Sequence, residues 1–301
     1  MKTNFSIIIP IAPGREIPVI KSIKNLDYPS SEVQTIVISG DNPPKNRNQG
    51  IVKAKANFVG FVNGHSALKS DWISQALLFF KKNPKIDIVG GPQLTSKDEK
   101  LFGRASGFAL SSRFGSGAIY KRYQPSTENL RADETMITSA NLICRKSVFN
   151  KIKFDETIYP GEDPKFIEDA LKAGLKVAYS PHIQVYNFRR TTLGGLSKQI
   201  FNYGRTRPQK EKLSKTLKKP FFLIPSLFVL YLVALSWLLR LNLLFIIPLY
   251  AYLILIIVFS FLGSLKNKNI LYFFLLPIIF INIHLSYGLG FIVGILKNIK
   301  K

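Results

Sequence analysis

Residues 58–72 read FVGFVNGHSALKSDW. The apolar run Phe58–Val62 has the length of a strand and no helical period. It stops at Asn63-Gly64-His65. A helix pattern follows over 71–83, with Ser70 as N-cap and Trp72, Ile73, Ala76, Leu77 and Phe80 on its apolar face. A buried strand that ends in an amide, a glycine and an imidazole allows two readings. It is a plain strand-to-helix turn, or it is a place for a metal and a phosphate.

Upstream and downstream, the same alternation continues. FSIIIP (5–10), QTIVIS (34–39) and IDIVGG (86–91) read as strands, and residues 17–26 as a short helix. Strands alternating with helices predict an α/β domain with a mainly parallel sheet. Such sheets bind ligands beyond the carboxyl ends of their strands. The loops IAPGRE (11–16), SGDNPPKNRN (39–48) and NGHS (63–66) are therefore expected to converge on one site. Neither a GxGxxG nor a P-loop lysine motif is present, so neither usual nucleotide fingerprint applies.

The last 82 residues are a different material. From Pro220 to Lys301 there is no Asp or Glu, and only six of the 42 Lys and Arg lie there. That leaves 36 basic against 18 acidic residues, a net +18, in residues 1–219. Phe221–Leu239, Leu243–Leu262 and Ile270–Leu296 are each long enough to cross a bilayer, for which ~20 residues suffice. Prolines 225, 248 and 277 are tolerated in spanning helices. The third segment contains Asn282 and His284.

Ten Lys or Arg and one Glu occupy residues 189–219, just before the first span. By the positive-inside rule the front domain faces the cytoplasm of a multi-pass inner-membrane protein. Three full spans would put the basic tail ILKNIKK outside. Either the third segment breaks near Asn282-Ile-His284, or the rule is violated there. No apolar leader precedes the first strand, so no signal peptide is expected. The single Cys144 fits a reducing compartment. Spans so poor in ionisable residues argue against a channel or transporter. The pI near 10 invites a nucleic-acid reading, but the basic run adjoins a span and carries no nucleic-acid motif.

Taken together, these motifs resemble a family. SIIIP, a second strand ending in an acidic loop, RNQGIVKA (47–54), and a strand ending in a three-residue polar motif look like a family 2 glycosyltransferase of GT-A fold. A polar motif ending in His most resembles the succinoglycan-type polysaccharide transferases. The likeness continues through GGPQLTS (90–96), TSANLICRK (138–146), YPGEDPKFIEDALKAG (159–174) and KQIFNYGRTRP (198–208). It covers roughly residues 5–215.

The resemblance implies a GT-A domain over 1–196, a basic interfacial segment over 197–219 and a membrane domain over 220–301. It implies a nucleotide-sugar donor, a divalent metal (Mn or Mg) and a lipid-linked or polysaccharide acceptor. His65 and Asn63 stand where the family's Asp-x-Asp holds that metal. Asn63 departs from the pattern and brings no charge, while imidazole favours Mn²⁺ over Mg²⁺. Asp41, Arg47 and Asn48 fall on the nucleotide, with Glu16 as the acidic residue of the first loop. Asp163 stands where the family has its general base, and Glu162 beside it is the runner-up. By sequence, Asp163 also reads as an N-cap with Pro164 at the first helical position. Asp133 and Glu134 fall on the acceptor side. Gln199 and Arg205 match a diphosphate- or acceptor-contacting motif. Two alternatives stay open: a polyprenyl-phosphate glycosyltransferase, and a catalytically silent membrane scaffold.

Overall fold

A computed structural model of the chain describes residues 4–96, 98–210 and 219–299. Residues 211–218 of the expected basic segment 197–219 lie outside the described residues. In chain order the strands are β1 (Phe5–Ile11), β2 (Val33–Ser39), β3 (Phe58–Val62), β4 (Ser66–Leu68), β5 (Ile88–Gly90), β6 (Gln93–Thr95), β7 (Asn141–Arg145), β8 (Val177–Tyr179) and β9 (Val185–Asn187). The helices are α1 (Val19–Lys24), α2 (Pro43–Lys53), α3 (Trp72–Lys82), α4 (Leu101–Ser111), α5 (Arg113–Ser116), α6 (Glu162–Lys172), α7 (Leu193–Lys210), α8 (Ile224–Leu241), α9 (Ile247–Asn267) and α10 (Leu271–Ile299).

The chain divides into two compact units, Met1–Ser96 with Lys121–Phe188, and Lys97–Tyr120 with Arg189–Lys301. The segment 97–120 was expected to be part of the front domain, and it groups instead with the C-terminal helices.

The first unit is a mixed six-stranded sheet in the order β2-β1-β3-β7-β5-β8. β1 pairs in parallel with β2 and β3, while β7 runs antiparallel between β3 and β5. Side chains alternate across the sheet. Phe5, Ile7 and Ile9 of β1 join Trp72, Phe79 and Phe80 in the core on one face. Ile8 turns to the opposite core with Ile36, Phe61, Leu142 and Phe166. Burial on both faces explains why β1 and β3 read as continuous apolar runs. Gly60 interrupts β3 because a Cβ there would stand 2.5 Å from Trp72 and 2.8 Å from Phe5. A second, three-stranded sheet has the order β4-β9-β6.

Some expected boundaries move. Ser70 does not cap α3, which starts at Trp72; the Ser70 carbonyl accepts the Asp27 N–H, and Asp71 occupies the cap position without a side-chain cap bond. The fourth strand keeps only Ile88–Gly90 of the six residues expected.

The second unit is helical. Three of its helices are long and apolar enough to cross a membrane: Ile224–Leu241, Leu243–Asn267 and Leu271–Lys297. The first two are 11% buried within the protein and the third 44%, so α10 is the one that packs on its neighbours. Of the two alternatives for the third segment, a break near Asn282 does not occur, for α10 is continuous from Leu271 to Ile299. Its polar residues find partners inside the unit. Asn282 accepts from Ser197, and His284 bonds Tyr252 at 3.0 Å and the Phe114 carbonyl at 2.8 Å. Bonded in this way, Asn282 through Oδ1 alone while its Nδ2 has no partner among the described residues, neither interrupts the helix. α7 lies along α10 in the same direction. A Cβ at Gly204 would come within 2.2 Å of the Tyr287 carbonyl, and one at Gly290 within 2.1 Å of the Phe201 carbonyl. Small residues let the two backbones touch, as small-xxx-small seams do in membranes.

Candidate active site

The carboxyl ends of β1, β2 and β3 share one edge of the first unit, and the loops that leave them are tied together. The Gly40 N–H and the Asn46 side-chain amide both donate to the Ile11 carbonyl, at 3.0 and 3.3 Å. The Gly64 carbonyl accepts the Val19 N–H at 3.1 Å, which pins the Asn63-Gly64-His65 turn against the loop after β1. Asp41 and Glu16 are exposed on these loops. His65 is exposed and Asn63 half-buried, with the Asn63 carbonyl accepting from the Ser66 N–H.

The antiparallel strand β7 enters the sheet at this edge, since Asn141 pairs with Val62. The residues just before β7 therefore border the site. Ser139 donates a hydrogen bond to Asp163 Oδ1. Behind them a buried polar chain connects four elements. Ser66 donates to Asn187, Asn187 to Gln93 at 2.6 Å, and Gln93 to Thr138.

Glu162 and Asp163 open α6. The cap is Gly161, whose φ of 125° suits only glycine, and Glu162 Oε2 accepts the Gly161 N–H at 2.9 Å. The expected N-cap at Asp163 is thus displaced. Asp163 and Pro164 stand second and third in the helix, where a carboxylate favours the positive helix end. Glu162 is 4% exposed and pairs with Arg47 Nη1 at 2.8 Å. Asp163, with its side chain 22% exposed, lies 3.7 Å from Arg47 Nη2. Burial, then the adjacent Asp163, push the Glu162 carboxyl up to about 7, against the pull of Arg47. Glu162 is the inward member of the pair, and Asp163 is the member that reaches the surface.

Arg47 and Asn48, expected on the nucleotide, make their contacts with the segment that leads into α6. Arg47 is buried over the Phe154 ring. Asn48 exchanges hydrogen bonds with the Phe154 backbone and donates to Glu156. The contacts of both lie within the protein because α2 packs beside the segment that leads into α6, though Arg47 Nε is buried without a hydrogen-bond partner among the described residues. Asp133 and Glu134, expected on the acceptor side, are engaged within the first unit. Glu134 is buried, its carbonyl taken by Arg122, and Asp133 is engaged by the Thr135 N–H and hydroxyl. Gln199 and Arg205 belong to α7 in the second unit, where Gln199 donates to Tyr203 at 2.9 Å. Ser139 lies in the stretch 131–141 expected on the acceptor side but was not singled out as a partner of Asp163; its place in TSAN at the start of β7 was the available signal.

Among the described residues no group of three or more His, Cys, Asp or Glu is placed to hold a metal. Asn63 and His65 offer one amide and one imidazole, both neutral donors. That set fits a divalent ion only when the anionic ligand itself supplies oxygens and charge.

A mixed α/β sheet, with loops converging on its carboxyl edge, is the architecture of a GT-A-like domain. Residues 17–205 match the family described as Glycosyltransferase like family 2, and the chain belongs to it. GT-A enzymes of this family typically use a divalent metal. A pre-mycofactocin glycosyltransferase of Mycobacterium tuberculosis, found in two strains, is 27% identical over 168 residues. That match covers 55% of this chain and 34% of the relative, so the chain spans about a third of the relative's length. Among solved structures, S. aureus TarS aligns with a TM-score of 0.49 at 14% identity, covering 72% of this chain and 43% of TarS. TarS 1–349 in complex with UDP-GlcNAc aligns at 0.48 and 15% identity, covering 66% and 67%.

Proposed function

We propose that the chain is a membrane-anchored inverting glycosyltransferase. It moves a sugar from a nucleotide-sugar donor to a lipid-linked or polysaccharide acceptor at the cytoplasmic face. The observation that carries this reading is the Glu162–Asp163 pair. It stands at the mouth of α6, with Asp163 held by Ser139 and partly open to solvent.

Asp163 is the base that takes the proton from the attacking hydroxyl. Ser139 and Arg47 both engage its Oδ1, which leaves Oδ2 unengaged among the described residues. The loops after β1, β2 and β3 hold the nucleotide, with Asp41 and Glu16 displayed on them. Asn63 and His65 would hold a divalent cation together with the donor's diphosphate. Bound there, such an ion offsets the charge of the leaving group. The apolar helices α8 to α10 anchor the chain, and the basic α7 supplies charge for anionic lipid or a lipid phosphate.

The test is a panel of UDP-, GDP-, dTDP- and CMP-sugars with the purified full chain in nanodiscs, read as donor hydrolysis and transfer. One donor class should turn over. A folded chain that binds and turns over none of them defeats the reading and favours the silent scaffold.

A further inference from the structure

We infer that Arg47 and Asn48 are positioning residues for the base. In this role α2 grips residues 154–163, and the Arg47 guanidinium holds the two carboxylates at the start of α6. The inference rests on the reading of Asp163 as that base.

The geometry leaves these residues little to offer a donor. Asn48 Nδ2 donates to the Phe154 carbonyl and to Glu156 Oε1, both at 2.9 Å. Its Oδ1 accepts the Phe154 N–H at 3.0 Å, so the side chain reads both polar groups of one backbone residue 106 positions away. Asn42, the cap of α2, reaches the Glu156 carbonyl at 3.0 Å. Arg47 continues the same line. Its guanidinium lies 5.3 Å over the Phe154 ring and reaches Glu162 at 2.8 Å and Asp163 at 3.7 Å. One helix face thus fixes the whole approach to the base.

The charge arrangement requires such a cation. Two carboxylates on successive residues, one of them buried, cannot both ionise cheaply. Arg47 is the charge that faces them from α2. Lys165, on their own helix, is turned to Asp169, and on the preceding segment Asp155 is bonded by Thr157 and Glu156 by Asn48. Without Arg47 the pair holds its proton to higher pH than in the wild type, and the base works only at correspondingly higher pH. A donor-contacting Arg47 predicts something else: weaker donor binding at an unchanged pH dependence.

The experiment compares wild type, Arg47→Gln, Arg47→Lys, Glu162→Gln and Arg47→Gln/Glu162→Gln as full chains in nanodiscs. Each is read by its melting temperature from pH 5 to 9, and by kcat and KM against pH with the sugar nucleotide that turns over. Because the Glu162 carboxyl is raised from the ordinary 4.5 to about 7, the wild type should lose stability as pH rises across that window. Arg47→Gln should deepen that loss and carry it to higher pH, and Glu162→Gln should flatten it. In the rate profile Arg47→Gln should move the acid limb up by about one unit or more, with donor KM little changed. Removing Glu162 as well should bring the limb back, and Arg47→Lys should fall between. Asn48→Ala should lower kcat more than it raises donor KM.

Raised donor KM with an unmoved acid limb overturns the inference. So does a melting profile parallel to wild type. If Arg47→Gln does not fold, the double variant should, because the stranded carboxylate is gone; failure of both also overturns it. A chain that turns over no sugar nucleotide but shows the shifted melting profile defeats the transferase reading and leaves the Arg47 pairing standing.

Discussion

Replacing Asp163 with Asn separates folding from chemistry at one atom. The amide keeps the size of the side chain and can still accept from Ser139 through its oxygen. What is lost is charge. Asp163 sits in the first turn of α6, where a negative charge contributes ~0.3–1 kcal/mol. Its contact with Arg47 is long, at 3.7 Å, and partly solvated, so it adds up to ~1 kcal/mol. The stability loss should therefore be about 1 kcal/mol, or roughly 2–4 °C in melting temperature for a domain of this size. The chemical loss should be larger. General base catalysis typically contributes ~10² to 10⁴-fold, equivalent to ~3–5 kcal/mol on the barrier. The assay is kcat at saturating donor with a hydroxyl-bearing acceptor, beside donor affinity and the melting curve. Donor affinity should persist while kcat falls. A lipid-phosphate acceptor is already ionised, and with it the fall should be small. An Asn variant that keeps its kcat with a hydroxyl acceptor at every pH refutes the assignment, and Glu162 becomes the carboxylate to test.

Three further outcomes are expected. His65→Ala should abolish most transfer, and activity should respond to Mn²⁺ more than to Mg²⁺; full activity in excess EDTA would sink the metal role. Asn63→Asp adds a charged ligand beside His65 and should tighten metal binding, with equal or higher turnover at low metal; a folded but inactive protein would show that an anion is not tolerated there. Gly290→Leu drives a side chain into the Phe201 carbonyl and should cost ~1–3 kcal/mol or more. Gly194→Ala, with open space around it, should be neutral or stabilising by up to ~1 kcal/mol. Equal detergent melting curves for the two glycine variants would refute the account of the α7–α10 seam.

Local pattern made much of the first unit legible. β3 begins at Phe58 and ends at Val62 as its apolar run does, and the Asn63-Gly64-His65 turn falls on the carboxyl edge shared by β1 and β2 because all three leading strands are parallel. What stayed hidden depends on partners far away in sequence. Nothing in RNQG shows that Arg47 meets Glu162, 115 residues on, so a family pattern placed it on the nucleotide. Asp163 looked like a cap because Asp-Pro often is one; the glycine at 161 could start the helix two residues sooner by taking a positive φ. A break at Asn282 and His284 was one of two alternatives, because an apolar helix hides polar groups only when others reach them. Ser197, Tyr252 and Phe114 do so here. The segment 101–111 shows a helix built on small residues, but sequence does not say which unit it joins.

That interrupted first unit has a consequence for biogenesis. The ribosome delivers Met1–Ser96, then a stretch belonging to the second unit, then Lys121–Phe188. β5 is therefore made well before β7 and β8, the two strands that flank it in the sheet. At roughly 5–20 residues per second, some seconds pass before those neighbours exist. The edges of β3 and β5 stay unpaired for that time, and α4 waits longer still for α10. A nascent chain of this kind holds open sheet edges and a helix with a bare small-residue face at once. Its need for chaperone and insertion machinery should peak between the synthesis of residue 96 and that of residue 180.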